Sequence, residues 1–158
     1  MKTKGFDTHD HDACQTDGVA QAAEACAAAG LQLTPQRRRV LEILLAQHRA
    51  MGAYEVLDVL REEGLGSQPP IAYRALDFLV ANGFAHKIER LNAFVACAHP
   101  GAQHAPAFLI CRSCDAVAEA HIEPASTVLG EAADNAGFAI ERAVVEAVGV
   151  CPNCQDAA

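Results

Sequence analysis

Apolar positions in the first half of the chain recur at intervals of three and four residues, the period of an amphipathic helix. The Ala-rich run from Gly18 to Ala29 predicts a first helix, and Gly30 is suited to end it. Thr34 followed by Pro35 predicts the start of a second helix, because a hydroxyl can cap it and proline needs no amide partner there. The predicted apolar face of the second helix comprises Val40, Leu41, Leu44 and Leu45.

The same period predicts two more helices. One runs from Tyr54 to Glu63 and is ended by Gly64. The Gly-Ser-Gln-Pro-Pro turn at 66–70 starts a fourth helix from Ile71 to Asn82, which Gly83 ends. The inward residues of the third helix are Val56, Leu57 and Leu60.

The period then shortens to that of a β-strand. Phe84 to Arg90 and Ala93 to Cys97 are two strand-like segments joined by Leu91 and Asn92, which predicts a hairpin. Helices followed by a small β-hairpin indicate a winged helix-turn-helix, in which the second helix of the turn enters the DNA major groove.

A Pro/Gly/Ala segment at 98–106 marks a boundary in the chain. Beyond it the pattern predicts strands at 107–111 and 116–121, and a helix at 124–136 that Gly137 ends. A final strand over 138–148 places four apolar residues on one face, namely Phe138, Ile140, Val144 and Val148.

The net charge of −8 is unevenly distributed, which matters for DNA binding. Residues 1–30 hold two basic and five acidic side chains, residues 31–90 hold eight and seven, and residues 91–158 hold two and eight. These counts give −3, +1 and −6, so the positive charge lies between Arg37 and Arg90. Phosphates respond to such a local basic face and not to the net charge.

Composition sets the expected compartment. No apolar stretch approaches the roughly 18 residues of a membrane span, and no secretory signal follows Lys2 and Lys4. We therefore expect a cytoplasmic protein with no membrane partner, in which the seven cysteines stay reduced.

Two Cys-x-x-Cys pairs, Cys111–Cys114 and Cys151–Cys154, are the strongest chemical signal. Zinc prefers four tetrahedral ligands, and two intervening residues let both sulfurs of a pair face one ion. The 36 residues between the pairs exceed a zinc-ribbon gap, so structural zinc would secure the end of a whole subdomain. Free buried thiols and a redox pair are the alternatives.

A zinc enzyme is a second class of interpretation. His121-Ile122-Glu123 followed by the second pair partly matches the deaminase signature. However, Val150 and not proline precedes Cys151, and a deaminase would leave the first pair without a role. We therefore expect no enzyme and no small organic substrate; a zinc buffer is the other alternative outside DNA binding.

The remaining ligand-type residues surround the 98–106 boundary. They are His86, Cys97, His99, His104, Glu119 and His121. Single histidines are usually surface or core residues, but together these residues flank a hinge, where a regulatory ion would have to lie.

Six segments of the sequence resemble the zinc uptake regulator branch of the ferric uptake regulator family, in order and spacing, over roughly residues 20–154. They are LTPQRRRVLEIL (33–44), AYEVLDVLRE (53–62), PPIAYRALDFLVANGFAHKIE (69–89), FVAC (94–97), CRSCDAVAE (111–119) and CPNC (151–154). Family members usually carry Thr-Val where this chain has Ile71-Ala72, so its operator preference is open.

The resemblance implies an α+β homodimer that binds a palindromic DNA operator when zinc-loaded and represses zinc uptake genes. Two zinc ions per monomer are implied, a structural one on the two cysteine pairs and a regulatory one on His86, Cys97, His104 and Glu119. Residues 1–17 are polar and predict a mobile tail. The rest of the chain is divided into a winged-helix DNA-binding domain (18–97), a hinge (98–106) and an α/β dimerisation and metal-binding domain (107–158).

DNA contacts are expected from Arg74, Tyr73, Tyr54 and Arg37. Arg74 is suited to a base edge, because a guanidinium matches guanine O6 and N7 bidentately; a phosphate contact or internal ion pair is the alternative. For Tyr54 the alternative is simple packing, and for Arg37 solvation of its helix. Asp58 and Arg61 are expected to pair within one helix.

The rival within the same class is a sensor of iron, manganese or peroxide. Iron-responsive members carry a His-His-Asp-His-type run before the first cysteine pair, and this chain does not. Cys97 beside two imidazoles and one carboxylate suits tetrahedral zinc better than octahedral iron or manganese. His9, His11 and Cys14 in the tail are interpreted as solvated, with weak metal binding as the alternative.

Overall fold

The computed structural model describes residues 6, 10–47, 49–98, 100, 105–122, 127–141 and 143–157. Within these ranges no helix combines the length and apolarity needed to cross a membrane. The helices are α1 (His11–Ala29), α2 (Pro35–Leu45), α3 (Ala53–Glu62), α4 (Pro69–Ala81), α5 (Val128–Asn135) and α6 (Pro152–Asp156). The strands are β1 (Ala85–Ile88), β2 (Ala93–Ala96), β3 (Ala105–Cys111), β4 (Val117–Ile122) and β5 (Val145–Gly149).

Helices α1 to α4 and the β1–β2 hairpin form the predicted winged helix-turn-helix around one apolar core. Thr34 caps α2 as expected, accepting a hydrogen bond from the Arg37 N–H over 3.3 Å. On α2, Ile43 is buried and Leu45 only half-buried, so the inward face is rotated slightly from the predicted one. The predicted inward residues of α3 are all buried.

The first helix begins earlier than predicted. Residues 11–17, which we assigned to a mobile polar tail, belong to α1. The reason is a cap that hydrophobic periodicity does not reveal: the Asp10 carboxylate accepts hydrogen bonds from the N–H groups of Asp12 and Ala13. Gly30, with φ +67°, ends the helix as expected.

The wing is a short hairpin to which one further backbone segment is hydrogen-bonded. β1 and β2 pair antiparallel with His86 opposite Val95, and a 3₁₀ turn with left-handed Asn92 joins them. Met51, ahead of α3, exchanges both backbone hydrogen bonds with Phe94, so the loop before α3 joins the hairpin.

The C-terminal region is a three-stranded sheet in the order β4-β3-β5, antiparallel between β4 and β3 and parallel between β3 and β5. The last strand spans only residues 145–149, so the prediction of a strand over 138–148 is wrong for its first half. β3 pairs with β5 only from Ala107 onward, and Pro106 just before it has no N–H to offer.

A second apolar cluster joins the wing to this sheet. It contains Ile88 and Val95 of the wing with Phe108, Ile110 and Val117 of the sheet. A hydrogen bond reinforces the contact between wing and sheet: the Glu89 N–H donates to the half-buried Glu146 carboxylate over 2.9 Å. β3 begins at residue 105, inside the predicted hinge, and hinge residues 99 and 101–104 lie outside the described ranges.

Candidate metal centres and nucleic-acid interface

The cysteines of the two Cys-x-x-Cys pairs meet at one end of the C-terminal sheet. Cys111 ends β3, and Cys114 follows in a turn closed by the Asp115 N–H on the Cys111 carbonyl. Cys151 is the N-cap residue of α6 and Cys154 lies in that helix, which the sequence did not predict. We call these four residues the cysteine quartet.

The quartet has the dimensions of a tetrahedral metal site. All four sulfurs lie within 4.8 Å of one another, and Cys114 Sγ is 3.7 Å from Cys151 Sγ. Zinc–sulfur bonds of about 2.3 Å place the sulfurs of a tetrahedron roughly 3.8 Å apart. None of the four forms a disulfide. The donor set and its spacing therefore fit zinc.

Backbone hydrogen bonds lower the pKa of one thiol of the quartet. The Cys151 N–H donates to Cys111 Sγ over 3.3 Å and, with the N–H groups of Ser113 and Cys114, lowers the pKa of Cys111 to about 6. The neighbouring Cys151 and Cys114 side chains raise the pKa of Cys154 to about 12. Four adjacent thiols cannot all ionise alone, so full deprotonation requires a cation among them.

A second group of ligand-type side chains lies where the wing meets the sheet. His86 comes from β1, Cys97 follows β2, and Glu119 comes from β4, opposite Phe108. The His86 ring packs against the Phe108 ring with centroids 5.5 Å apart, which fixes the imidazole beside the sheet. We call His86, Cys97 and Glu119 the hinge cluster.

The hinge cluster is compact and buried. His86 Nε2 lies 3.3 Å from Glu119 Oε1, and Cys97 Sγ lies 4.0 Å from the same oxygen. Glu119 is 8% exposed and Cys97 5% exposed. The second carboxylate oxygen accepts a hydrogen bond from the Ala98 N–H over 2.8 Å, which orients the group. This backbone donor gave no signal in the sequence.

An imidazole, a thiol and a carboxylate at these distances suit a tetrahedral zinc site. Their three ligand atoms lie within 4.8 Å of one another. The fourth predicted ligand, His104, lies outside the described residues, as does His99. His121 lies on β4, two residues beyond Glu119.

The predicted base-contacting residues lie on exposed faces of α3 and α4. Tyr54 lies in the first turn of α3 and is 63% exposed, and Tyr73 on α4 is 40% exposed. Arg74 is exposed and forms no ion pair with any residue that the structure describes. Ile71 packs against Gly66 and Ala72 is fully buried, so this departure from the family pattern serves packing.

Other arginines of the helical domain have internal partners. Arg37 stacks over the Phe78 ring at 3.8 Å and donates to the Gln32 carbonyl over 2.6 Å. Arg39 binds the Glu63 carboxylate with two nitrogens. The expected pair of Asp58 and Arg61 is present at 3.1 Å. Arg90 is exposed in the 3₁₀ turn of the wing, and the sequence indicated it only as the end of the basic stretch.

Comparison with known proteins agrees with this arrangement. The profile of the Ferric uptake regulator family matches residues 28–148. The zinc uptake regulation protein of Escherichia coli (strain K12) is 43% identical over 138 residues, which cover 86% of this chain and 80% of that protein.

Solved structures match over almost the whole chain. A zinc uptake regulator complexed with zinc and DNA aligns with a TM-score of 0.83 at 40% identity, covering 90% of this chain and 96% of that one. The holo form of XcZur aligns with a TM-score of 0.78 at 42% identity, covering 89% and 98%. The apo form of XcZur, at the same 42% identity and covering 90% and 98%, gives only 0.51. By profile, sequence and structure, this chain is a member of the ferric uptake regulator family.

Proposed function

We propose that the protein is a zinc-responsive transcriptional repressor, a homodimer that binds a palindromic DNA operator when zinc-loaded and represses zinc uptake genes. The observation that carries the proposal is the hinge cluster, whose ligand atoms come from both the wing and the C-terminal sheet. A metal ion bound there supplies a cross-link between the DNA-binding helices and the rest of the chain. The neighbouring relatives are transcriptional regulators, which argues against an enzyme.

The arrangement of the chain supports a metal-dependent change of shape. The holo and apo forms of XcZur have the same identity to this chain, so their different TM-scores reflect conformation and not sequence. Here the wing packs on the sheet, and the chain matches the holo form. Closing the hinge cluster favours this arrangement because His86 and Glu119 lie on opposite sides of the contact.

A repressor of this kind needs only modest coupling between zinc binding and DNA binding. In a dimer, the angle between wing and sheet sets the separation and tilt of the two recognition helices, which must match half-sites of a two-fold operator. A ligand shifts such an equilibrium only by its differential affinity for the competent state. A hundredfold switch requires about 2.7 kcal/mol, within the usual allosteric range.

An exposed apolar surface in the C-terminal region supports the homodimer. Val128 is 81% exposed and Phe138 is 66% exposed, and both belong to a set of large apolar side chains open to solvent. The others in this region are Leu109, Leu129, Val144, Val145 and Val148. Many exposed apolar side chains in one region are typical of an interface, and β5 is an edge strand of the sheet among the described residues, so it offers a strand edge to a second copy.

The donor chemistry favours zinc over iron, manganese or a peroxide sensor. Cys97 contributes a soft sulfur ligand beside a carboxylate, and one thiolate with one carboxylate neutralises a zinc ion. We assign the regulatory ion to the hinge cluster with His104, and a structural ion to the cysteine quartet, two per monomer. A neutral site is less costly to bury between wing and sheet than a charged one.

The direct test is a gel shift with operator DNA, run with and without a zinc-selective chelator. We expect a shifted band with zinc, its loss on chelation, and its return when zinc is restored. We expect the protein to keep its quartet zinc under mild chelation, because a closed four-thiolate site has no open coordination position. Equal rescue by iron or manganese would favour the rival sensors, and no shift in any condition would point to a zinc buffer.

Arg74→Ala should weaken operator binding by about 1–3 kcal/mol while leaving zinc content and dimerisation unchanged. Arg74 is exposed on α4 without an internal ion pair among the described residues, so its removal should not disturb the fold. Fluorescence anisotropy on operator and on random DNA distinguishes a base-edge contact from a phosphate contact. An equal loss on both DNAs would make Arg74 a phosphate contact. Arg38→Ala, which removes an exposed charge of α2 that pairs with Glu42 at 3.5 Å, is the control for loss of a positive charge outside α4.

A further inference from the structure

We infer that Cys14 and Asp17 form a capture site for a divalent metal ion, at the mouth of a cavity that leads to the hinge cluster. The inference rests on the proposed function, because it concerns how an ion reaches that cluster. Both residues lie in the early part of α1, which the sequence had assigned to a mobile tail. They are three residues apart, so they share one face of the helix.

A cavity of about 160 Å³ separates α1 from the hinge cluster, with Cys14 and Asp17 on one wall and Cys97 and Glu119 on another. This volume is several times what one water molecule needs, so a partly hydrated ion fits. Asp17 is exposed and Cys14 half-buried, whereas Cys97 and Glu119 are buried. The cavity therefore has an outer end and a deep end, each with one thiol and one carboxyl group.

The opposite side of the hinge cluster lies against the contact between wing and sheet. His86, whose side chain is 16% exposed, packs there against Phe108 of the central strand. An ion arriving by the cavity meets Cys14 and Asp17 before Cys97 and Glu119. A soft sulfur and a hard oxygen are the donors that zinc takes together, and stepwise exchange avoids stripping all its water at once.

The packing of α1 against α2 holds Cys14 and Asp17 in place. A side chain at Gly18 would bring its Cβ within 2.7 Å of Leu45 Cδ1, so the glycine allows α1 to approach α2 closely. Gly18 and Leu45 both line the cavity. Cys14 and Asp17 do not lie within 4.8 Å of the hinge cluster as a common ligand set, so they are suited to transfer and not to permanent ligation.

The test follows Co²⁺ loading by stopped-flow absorbance, under anaerobic conditions, in dimeric protein that keeps its quartet zinc. The variants are Cys14→Ser/Asp17→Asn, the control Asp12→Asn, which removes an exposed charge of α1 away from the cavity, and Cys97→Ser. We expect the double variant to load about tenfold more slowly, with unchanged equilibrium affinity, and Asp12→Asn to behave as wild type.

Three results would overturn the capture site. These are an unchanged rate in the double variant, an equal slowing in Asp12→Asn, and a loss of equilibrium affinity that matches the loss of rate. The last would make Cys14 and Asp17 permanent ligands. Failure of the proposed function looks different: the cobalt–thiolate band would then be the same in Cys97→Ser as in wild type, because no ion had reached the hinge cluster.

Discussion

Cys154→Ser is expected to abolish zinc binding by the cysteine quartet and to leave the C-terminal region without a stable fold. The quartet ties the end of β3 to α6, and the large buried apolar side chains in the described part of this region, Phe108, Ile110 and Val117, are shared with the wing. Binding of structural zinc contributes on the order of 10 kcal/mol, comparable with the whole stability of a small domain. Dimerisation should be lost with it, since the exposed apolar surface lies on the same sheet and on α5.

Zinc per monomer, sedimentation velocity and thermal unfolding would measure these effects together. Cys14→Ser removes a thiol far from the quartet along the chain and should keep the quartet zinc and the dimer. Cys111→Ser should resemble Cys154→Ser, although Cys111 contributes the most acidic thiol. A Cys154→Ser dimer with wild-type thermal stability and one zinc fewer would mean that packing, and not the metal, holds this region.

The sequence was sufficient for the quartet because each half of it is local. A Cys-x-x-Cys pair needs only a tight turn to bring its sulfurs together, and both turns formed as expected. Helix ends with chemical markers were also predictable, as Thr34 and Gly30 illustrate. The family resemblance supplied the rest of the fold class.

Two elements were misplaced because hydrophobic periodicity does not determine where they begin. The start of α1 depends on the Asp10 cap, and its first turns are polar, so the sequence indicated a tail. The 138–148 segment alternates like a strand, but strand structure requires a paired neighbour, and β3 provides one only over 145–149. Patterns along one chain cannot show where a partner strand ends.

The hinge cluster could not be derived from local sequence, because His86 and Glu119 lie on strands of different sheets. What brings them to 3.3 Å is the packing of Ile88 and Val95 against the C-terminal sheet. The sequence located ligand-type residues on both sides of a boundary, and the resemblance selected among them. The carboxylate-orienting Ala98 N–H is a backbone group and has no sequence signature.

Cys97→Ser is expected to remain a folded dimer with its quartet zinc, yet to need far more free zinc to bind operator DNA. Serine keeps the size of the side chain at this buried position, but its hydroxyl stays protonated near pH 7 and ligates zinc poorly. A hundredfold loss in zinc response would correspond to about 2.7 kcal/mol. His86→Ala, His104→Ala and Glu119→Ala should show the same phenotype in varying degree.

Fluorescence anisotropy of labelled operator, titrated with buffered Zn²⁺, compares Cys97→Ser with wild type. Cys26→Ser is the matched control, since Cys26 is equally buried but lies in the helical core and away from either metal centre. We expect Cys26→Ser to lower thermal stability while its zinc response stays near that of wild type. We expect Cys97→Ser to lose zinc response while it remains folded. A sensor of iron or manganese would respond to those metals as well as to zinc, with little dependence on position 97. Superimposable titrations of wild type and Cys97→Ser would remove Cys97 from the regulatory site, and with it the chemical preference for zinc.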